Sequence, residues 1–209
     1  MDWDNPHRAD LEARFAPCTA SPPSTSNSFM ADAPRDAPPA DPAPRSQPEL
    51  GPQATAFRQA AEAYCTAIET IATTDPHETL TRLRFLLAAL ISAALVLPTS
   101  EPVTATVPPG IGHDAWSARF AAIDSALGSA ATYWAASLSS QDVEPEVVLL
   151  PLADDLADIW RDLRPTLDQL ASGTETADVV WQWRFTFDAH WGLHAVEALR
   201  ALHIAITAA

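Results

Sequence analysis

The chain has 209 residues, with 27 acidic side chains against 12 basic ones and a formal net charge of −15. That field offers no basic patch to a phosphate backbone or an anionic bilayer, so nucleic acid and membrane are excluded as partners. Two cysteines, Cys18 and Cys65, make no disulfide framework, and a reducing, cytoplasmic setting is expected.

Residues 1–53 hold 11 of the 19 prolines, in runs such as "RDAPPADPAPRSQPELGP". Their few aliphatic side chains cannot bury enough apolar area to offset ordering entropy, so a disordered tail is predicted there. A single α-helical domain is predicted over 54–209. The beginning of the chain has charges throughout and no apolar signal-peptide core, and Met30 would serve equally well as a start. Every basic residue is arginine and alanine is abundant, the codon bias of a GC-rich bacterial genome.

In the domain, apolar residues recur at helical spacing. Phe57, Ala61, Tyr64, Ile68 and Ile71 form the first stripe. Asp75 is placed to cap a second helix, with Pro76 at its first position and Glu78 at capping-box spacing. Leu80, Leu83, Leu87, Leu90, Ala94 and Leu97 follow, and Pro98 stops the run. The apolar stretch "FLLAALISAALVL", 13 residues long, is short of the roughly 20 needed to span a bilayer. After a polar connection a third helix opens at Asp114 with Trp116, Phe120, Ile123 and Leu127. Gly128 interrupts it before a shorter helical piece around Tyr133 and Trp134.

The fourth helix carries Leu152, Leu156, Ile159, Leu163, Leu167 and Leu170 in a four-three alternation, with a kink or break predicted at Pro165. The last helix is predicted from about Ala177 to Ile204. Val180, Trp183, Phe187, Trp191, His194, Ala198 and Leu202 line its main face, and Trp181, Phe185 and Val196 cover another side, an arc wide enough for a central helix. With no strand in evidence, the pattern predicts an all-α bundle of about five helices.

Three segments carry a resemblance: "AYCTAIE" (63–69), "LADDLADIWRDLRPTL" (152–167) and "VVWQWRFTFDAHWGLHAVEALRALH" (179–203). Together they resemble a bacterial family catalogued as domain of unknown function 5063, over residues 54–205. The resemblance implies a helical domain and brings no activity, substrate or catalytic residue.

Chemistry is confined to two helices. On a helical wheel Asp154, Asp155, Asp158 and Asp162 fall within about one hundred degrees of each other. On the last helix His194 lies inside the apolar face and His190 at its edge. Carboxylates and imidazoles from packed helices are the raw material of bundle metal sites. A metal ion would therefore draw on Asp155, Asp158, His190 and His194, with Asp154 and Glu69 as further possibilities. Against this, the chain has no Glu-x-x-His or His-Glu-x-x-His pair. The bland expectation is a polar network between the histidines and the acidic stripe, with no cofactor. Arg184, placed near the centre of the apolar arc, is expected to bridge Asp188 and one of Asp154, Asp155 or Asp158. Cys65 reads as a buried thiol rather than a nucleophile. Two functions follow: a cytoplasmic acidic helical module that binds another protein, or a metal-binding protein or metal-dependent enzyme built on the aspartate stripe and the His-x-x-x-His pair.

Overall fold

The computed structural model describes residues 49–72, 75–104, 109–137 and 146–208. The tail expected over 1–53 lies, as far as residue 48, outside the described residues. Helix α1 (Pro52–Glu69) begins two residues inside that expected tail, with proline in its first turn. Helix α2 (Pro76–Leu95) is capped as its sequence requires, because Asp75 accepts from the backbone N–H groups of His77 and Glu78 at 2.9 and 3.3 Å. Helix α3 (His113–Leu127) ends at Gly128, whose φ of 53° lies in the region that favours glycine.

Beyond Gly128 the expected short helix does not form. A single 3₁₀ turn (Gly128–Ala130) leads into strand β1 (Thr132–Ser137), which pairs antiparallel with β2 (Glu146–Pro151), Trp134 opposite Leu149 and Ala136 opposite Val147. Alternation explains the choice: Ala135 is buried while Trp134, Val147 and Leu149 stand outward and exposed. The hairpin is tied at its base by a 2.7 Å bond from Leu152 N–H to the Ala131 carbonyl.

Helix α4 (Leu152–Ala171) is the strut of the bundle, packed against α1, α3, the hairpin and both halves of the last helix. It passes through Pro165 without a break. The ring is buried, and Thr166 Oγ1 donates to the Leu163 carbonyl at 2.8 Å alongside it. The last helix is not one continuous α-helix. It comprises α5 (Thr176–Thr186), a π-helical turn (Phe187–Trp191) and α6 (Gly192–Thr207).

The core is where the stripes meet. Phe57 of α1 packs on Trp183 and Trp191 at ring separations of 4.9 and 6.2 Å, and all three side chains are fully buried. Two of the buried polar tips find partners, since Tyr64 donates to the Leu156 carbonyl at 2.8 Å and Trp183 to Thr166 Oγ1 at 2.7 Å, whereas the Trp191 indole N–H has none. The second apolar arc of the last helix is at the surface instead. Phe185 and Val196 are exposed, and Val196 and Ile204 with Phe85 of α2 line a shallow groove. The wide arc therefore does not make this helix central; α4 has that place. Among the described residues no helix is long and apolar enough to cross a membrane.

Candidate metal centre

The strut α4 carries its acidic residues at three- and four-residue steps, so Asp155, Asp158 and Asp162 rise along one side of it. The last helix offers His190, in the π turn, and His194, one turn further, to the same side. Each imidazole is held through Nδ1. His194 Nδ1 lies 2.7 Å from Asp155 Oδ1, and His190 Nδ1 lies 2.7 Å from Asp162 Oδ2. A carboxylate facing Nδ1 requires the proton there, which in the neutral ring leaves the lone pair on Nε2.

Both Nε2 atoms turn toward one oxygen, Oδ2 of Asp158, at 3.6 Å from His194 and 4.0 Å from His190. One ligand atom from each of the three residues lies within 4.8 Å of the others. Donors placed around a tetrahedral ion at about 2.0–2.1 Å sit about 3.4 Å apart, so closing on an ion needs side-chain shifts of less than about an ångström. Asp158 is 7% exposed and Asp155 6%, while the His190 side chain is 37% exposed and keeps the place reachable from solvent.

Outer partners fix the carboxylates. Asp155 Oδ2 accepts from the Tyr133 hydroxyl at 2.7 Å, and Asp158 Oδ1 accepts from Trp116 Nε1 at 2.7 Å with Arg161 Nη2 at 3.1 Å. Burial and the bond to Asp155 hold the Tyr133 phenol far above its ordinary range, so it stays a donor. Burial, together with the negative charges of Asp158 and Asp155, raises the Asp154 carboxyl. Burial alone would lower His194, but the hydrogen bond to Asp155 and the charges of Asp155, Asp158 and Asp154 outweigh it and raise the pKa.

A family model described as "Domain of unknown function (DUF5063)" matches residues 49–208. The chain belongs to this family. The DUF5063 domain is similar to a solved structure, protein BF1032 from Bacteroides fragilis, at 20% sequence identity and a TM-score of 0.64, covering 74% of this chain and 92% of that one. That likeness is one of fold alone. Among curated proteins nothing matches.

Not every residue singled out in the sequence reaches the centre of the DUF5063 domain. Arg184 does not bridge the two helices: its Nε pairs with Asp188 at 2.8 Å and its Nη1 reaches the Leu97 carbonyl at 3.5 Å, while its side chain stays 37% exposed. The π turn and the exposure of the second arc turn this residue to the side away from α4. The clamp between the helices is made by histidine instead. Glu69 is engaged elsewhere, accepting from Trp160 Nε1 at 2.8 Å. Cys65 is buried, and burial above all pushes its thiol up to about 12, which leaves it protonated and inert. Asp162 belongs to the centre although it stood outside the expected ligand set. It stands four residues from Asp158 and seven from Asp155, so it shares their face of α4, about two turns from the carboxylate that holds His194. Trp116 and Tyr133 come from contacts that spacing does not encode, whereas Arg161 stands three residues from Asp158 on the same helix, a spacing that pairs them.

Proposed function

We propose that the DUF5063 domain binds one divalent transition-metal ion through His190 Nε2, His194 Nε2 and Asp158 Oδ2. The observation that carries this reading is the orientation of the imidazoles: each has its Nδ1 committed to a carboxylate, and both Nε2 atoms converge on one oxygen. Carboxylate–histidine pairs of this kind orient the ligating nitrogen and raise its basicity in metal sites. The negative charges of Asp154, Asp155, Asp158 and Asp162 favour a cation between the two helices, and because they also raise His194 the ion has a proton to displace. Two nitrogens and one oxygen suit zinc, iron, cobalt or manganese, and three protein ligands leave coordination positions for water or a substrate.

The test is elemental analysis of tag-free protein, followed by titration with Zn²⁺ or Co²⁺. About one ion per chain is expected, lost in His194→Ala and Asp158→Ala proteins that keep the helical circular dichroism of the parent. Protein that takes up no ion under either condition refutes the reading. Chelation is expected to leave the fold intact, because about two thirds of the unfolded surface of a domain this size is buried without help from a metal.

A second reading, a module that docks another protein, is favoured by the outward face of the hairpin, where Trp134, Val147 and Leu149 are exposed together. If the occupant is a second copy, light scattering against concentration gives a dimer that Trp134→Glu abolishes; a concentration-independent monomer excludes that occupant.

A further inference from the structure

Asp158 is the one carboxylate in the proposed ligand set, and its surroundings dictate how many oxygens it can give. The number matters, because a large, hard cation such as Ca²⁺ takes six to eight oxygens and often both from one carboxylate, whereas imidazole-rich sites with few oxygens suit zinc and its neighbours. Oδ1 of Asp158 is already engaged by two donors, the Trp116 indole N–H at 2.7 Å and the Arg161 guanidinium at 3.1 Å. Oδ2 is the oxygen that faces the histidines.

The two donors are themselves held. The Trp116 ring stacks with His113 at 5.8 Å and 22°, and with Phe120 at 5.5 Å and 30°, and the Arg161 guanidinium stands 5.9 Å from its centre. All three ring contacts come from α3 or α4, so the indole N–H is aimed before any ion arrives. Turning Oδ1 toward a cation would break a bond to a fixed donor and another to a charged one.

We propose that Trp116 and Arg161 are positioning residues that hold Asp158 to one-oxygen coordination, so that the centre selects Zn²⁺ or Co²⁺ over Ca²⁺. This rests on the metal reading given above and adds to it the origin of selectivity.

Co²⁺ is the probe, because the intensity of its visible absorption falls as its coordination number rises, as it would if Asp158 gave its second oxygen. The parent protein is titrated with Co²⁺ alone and in competition with Ca²⁺, beside Trp116→Phe, Arg161→Gln, the double variant and Arg161→Lys. Expected in the double variant is retained binding with a weaker, shifted visible band and a Co²⁺-to-Ca²⁺ preference narrowed by about 10- to 100-fold, the scale on which outer-shell partners act. Arg161→Lys, which keeps a charged donor, restores most of the parent spectrum. A parent protein that binds no Co²⁺ overturns the metal reading and this inference together. A parent that binds, with a double variant identical to it in band and preference, overturns the inference alone. Should Trp116→Phe lose its helical signal, Arg161→Gln decides by itself, since that side chain is 36% exposed and its removal spares the core.

Discussion

Replacing Gly192 by alanine tests the π turn, because two physical arguments disagree on the sign. Intrinsic helix propensity favours alanine by about 1 kcal/mol in a helix interior. In this fold, however, a Cβ at position 192 would stand 2.4 Å from the Phe187 carbonyl oxygen and 3.1 Å from two carbons of its ring. That oxygen accepts the Gly192 N–H, the five-residue bond that defines the turn, so it cannot retreat freely. Overpacking against backbone sits at the upper end of its range, about 3 kcal/mol. A weakened hydrogen bond adds about 1 kcal/mol. Offsetting these against propensity leaves a net loss of about 3 kcal/mol, or a Tm lower by about 6–12 °C for a domain of this size. Thermal unfolding followed by circular dichroism measures it. An alanine variant as stable as the parent, or more stable, refutes the argument that the turn requires glycine. Because His190 lies inside the turn and His194 just beyond it, the variant is also expected to weaken Co²⁺ uptake.

Leu156 and Leu163 are both wholly buried on the inner face of α4, so truncating either to alanine is expected to cost about 2 to 5 kcal/mol in urea unfolding; a loss under about half a kcal/mol would place that face in solvent. Arg184→Met is expected to change stability by no more than about 1 kcal/mol, since the pair lies at the surface, with Arg184 37% and Asp188 55% exposed. Asp178 accepts from the Val103 and Thr104 N–H groups and the Thr104 hydroxyl, and although burial acts the other way, these bonds lower its pKa. Asp178→Asn is therefore expected to cost about 1–3 kcal/mol at neutral pH. A depressed carboxyl contributes stability above the unfolded value of about 3.9, and that contribution disappears as pH falls through the folded value, so the gap between parent and variant should close below about pH 4. A gap that widens in acid would contradict the assigned bonds.

Most of the bundle was legible because its periods are long. The stripe of α4 and the Asp75-Pro76-x-Glu78 cap each state a helix and its start in residues that have no other reason to be spaced so. The hairpin was hidden because both of its strands are six residues long, and an unbroken apolar run such as "VVLL" is read equally well as about one turn of buried helix. In β1 the sign of a strand was the alternation of Tyr133 and Ala135 inward with Trp134 outward. The candidate centre was half legible. Asp155, Asp158, His190 and His194 were marked by residue type and helical phase, but a wheel drawn for an unbroken α-helix carried Arg184 onto the wrong side. The π turn changes that phase, and the sequence sign of it, a glycine between Trp191 and the rest of the helix, becomes meaningful only beside the Phe187 carbonyl it must accommodate.

The distribution of indoles gives this domain its own optical reporters. Trp183 and Trp191 are closed off from solvent beside Phe57, whereas Trp134 is 64% exposed on the hairpin. A small neutral quencher such as acrylamide should therefore reach Trp134 before the interior pair, and the difference between the parent and Trp134→Phe isolates the hairpin's share of the emission of seven tryptophans. Unfolding moves the emission of the interior pair to longer wavelength, so that shift follows the core while the difference spectrum follows the hairpin.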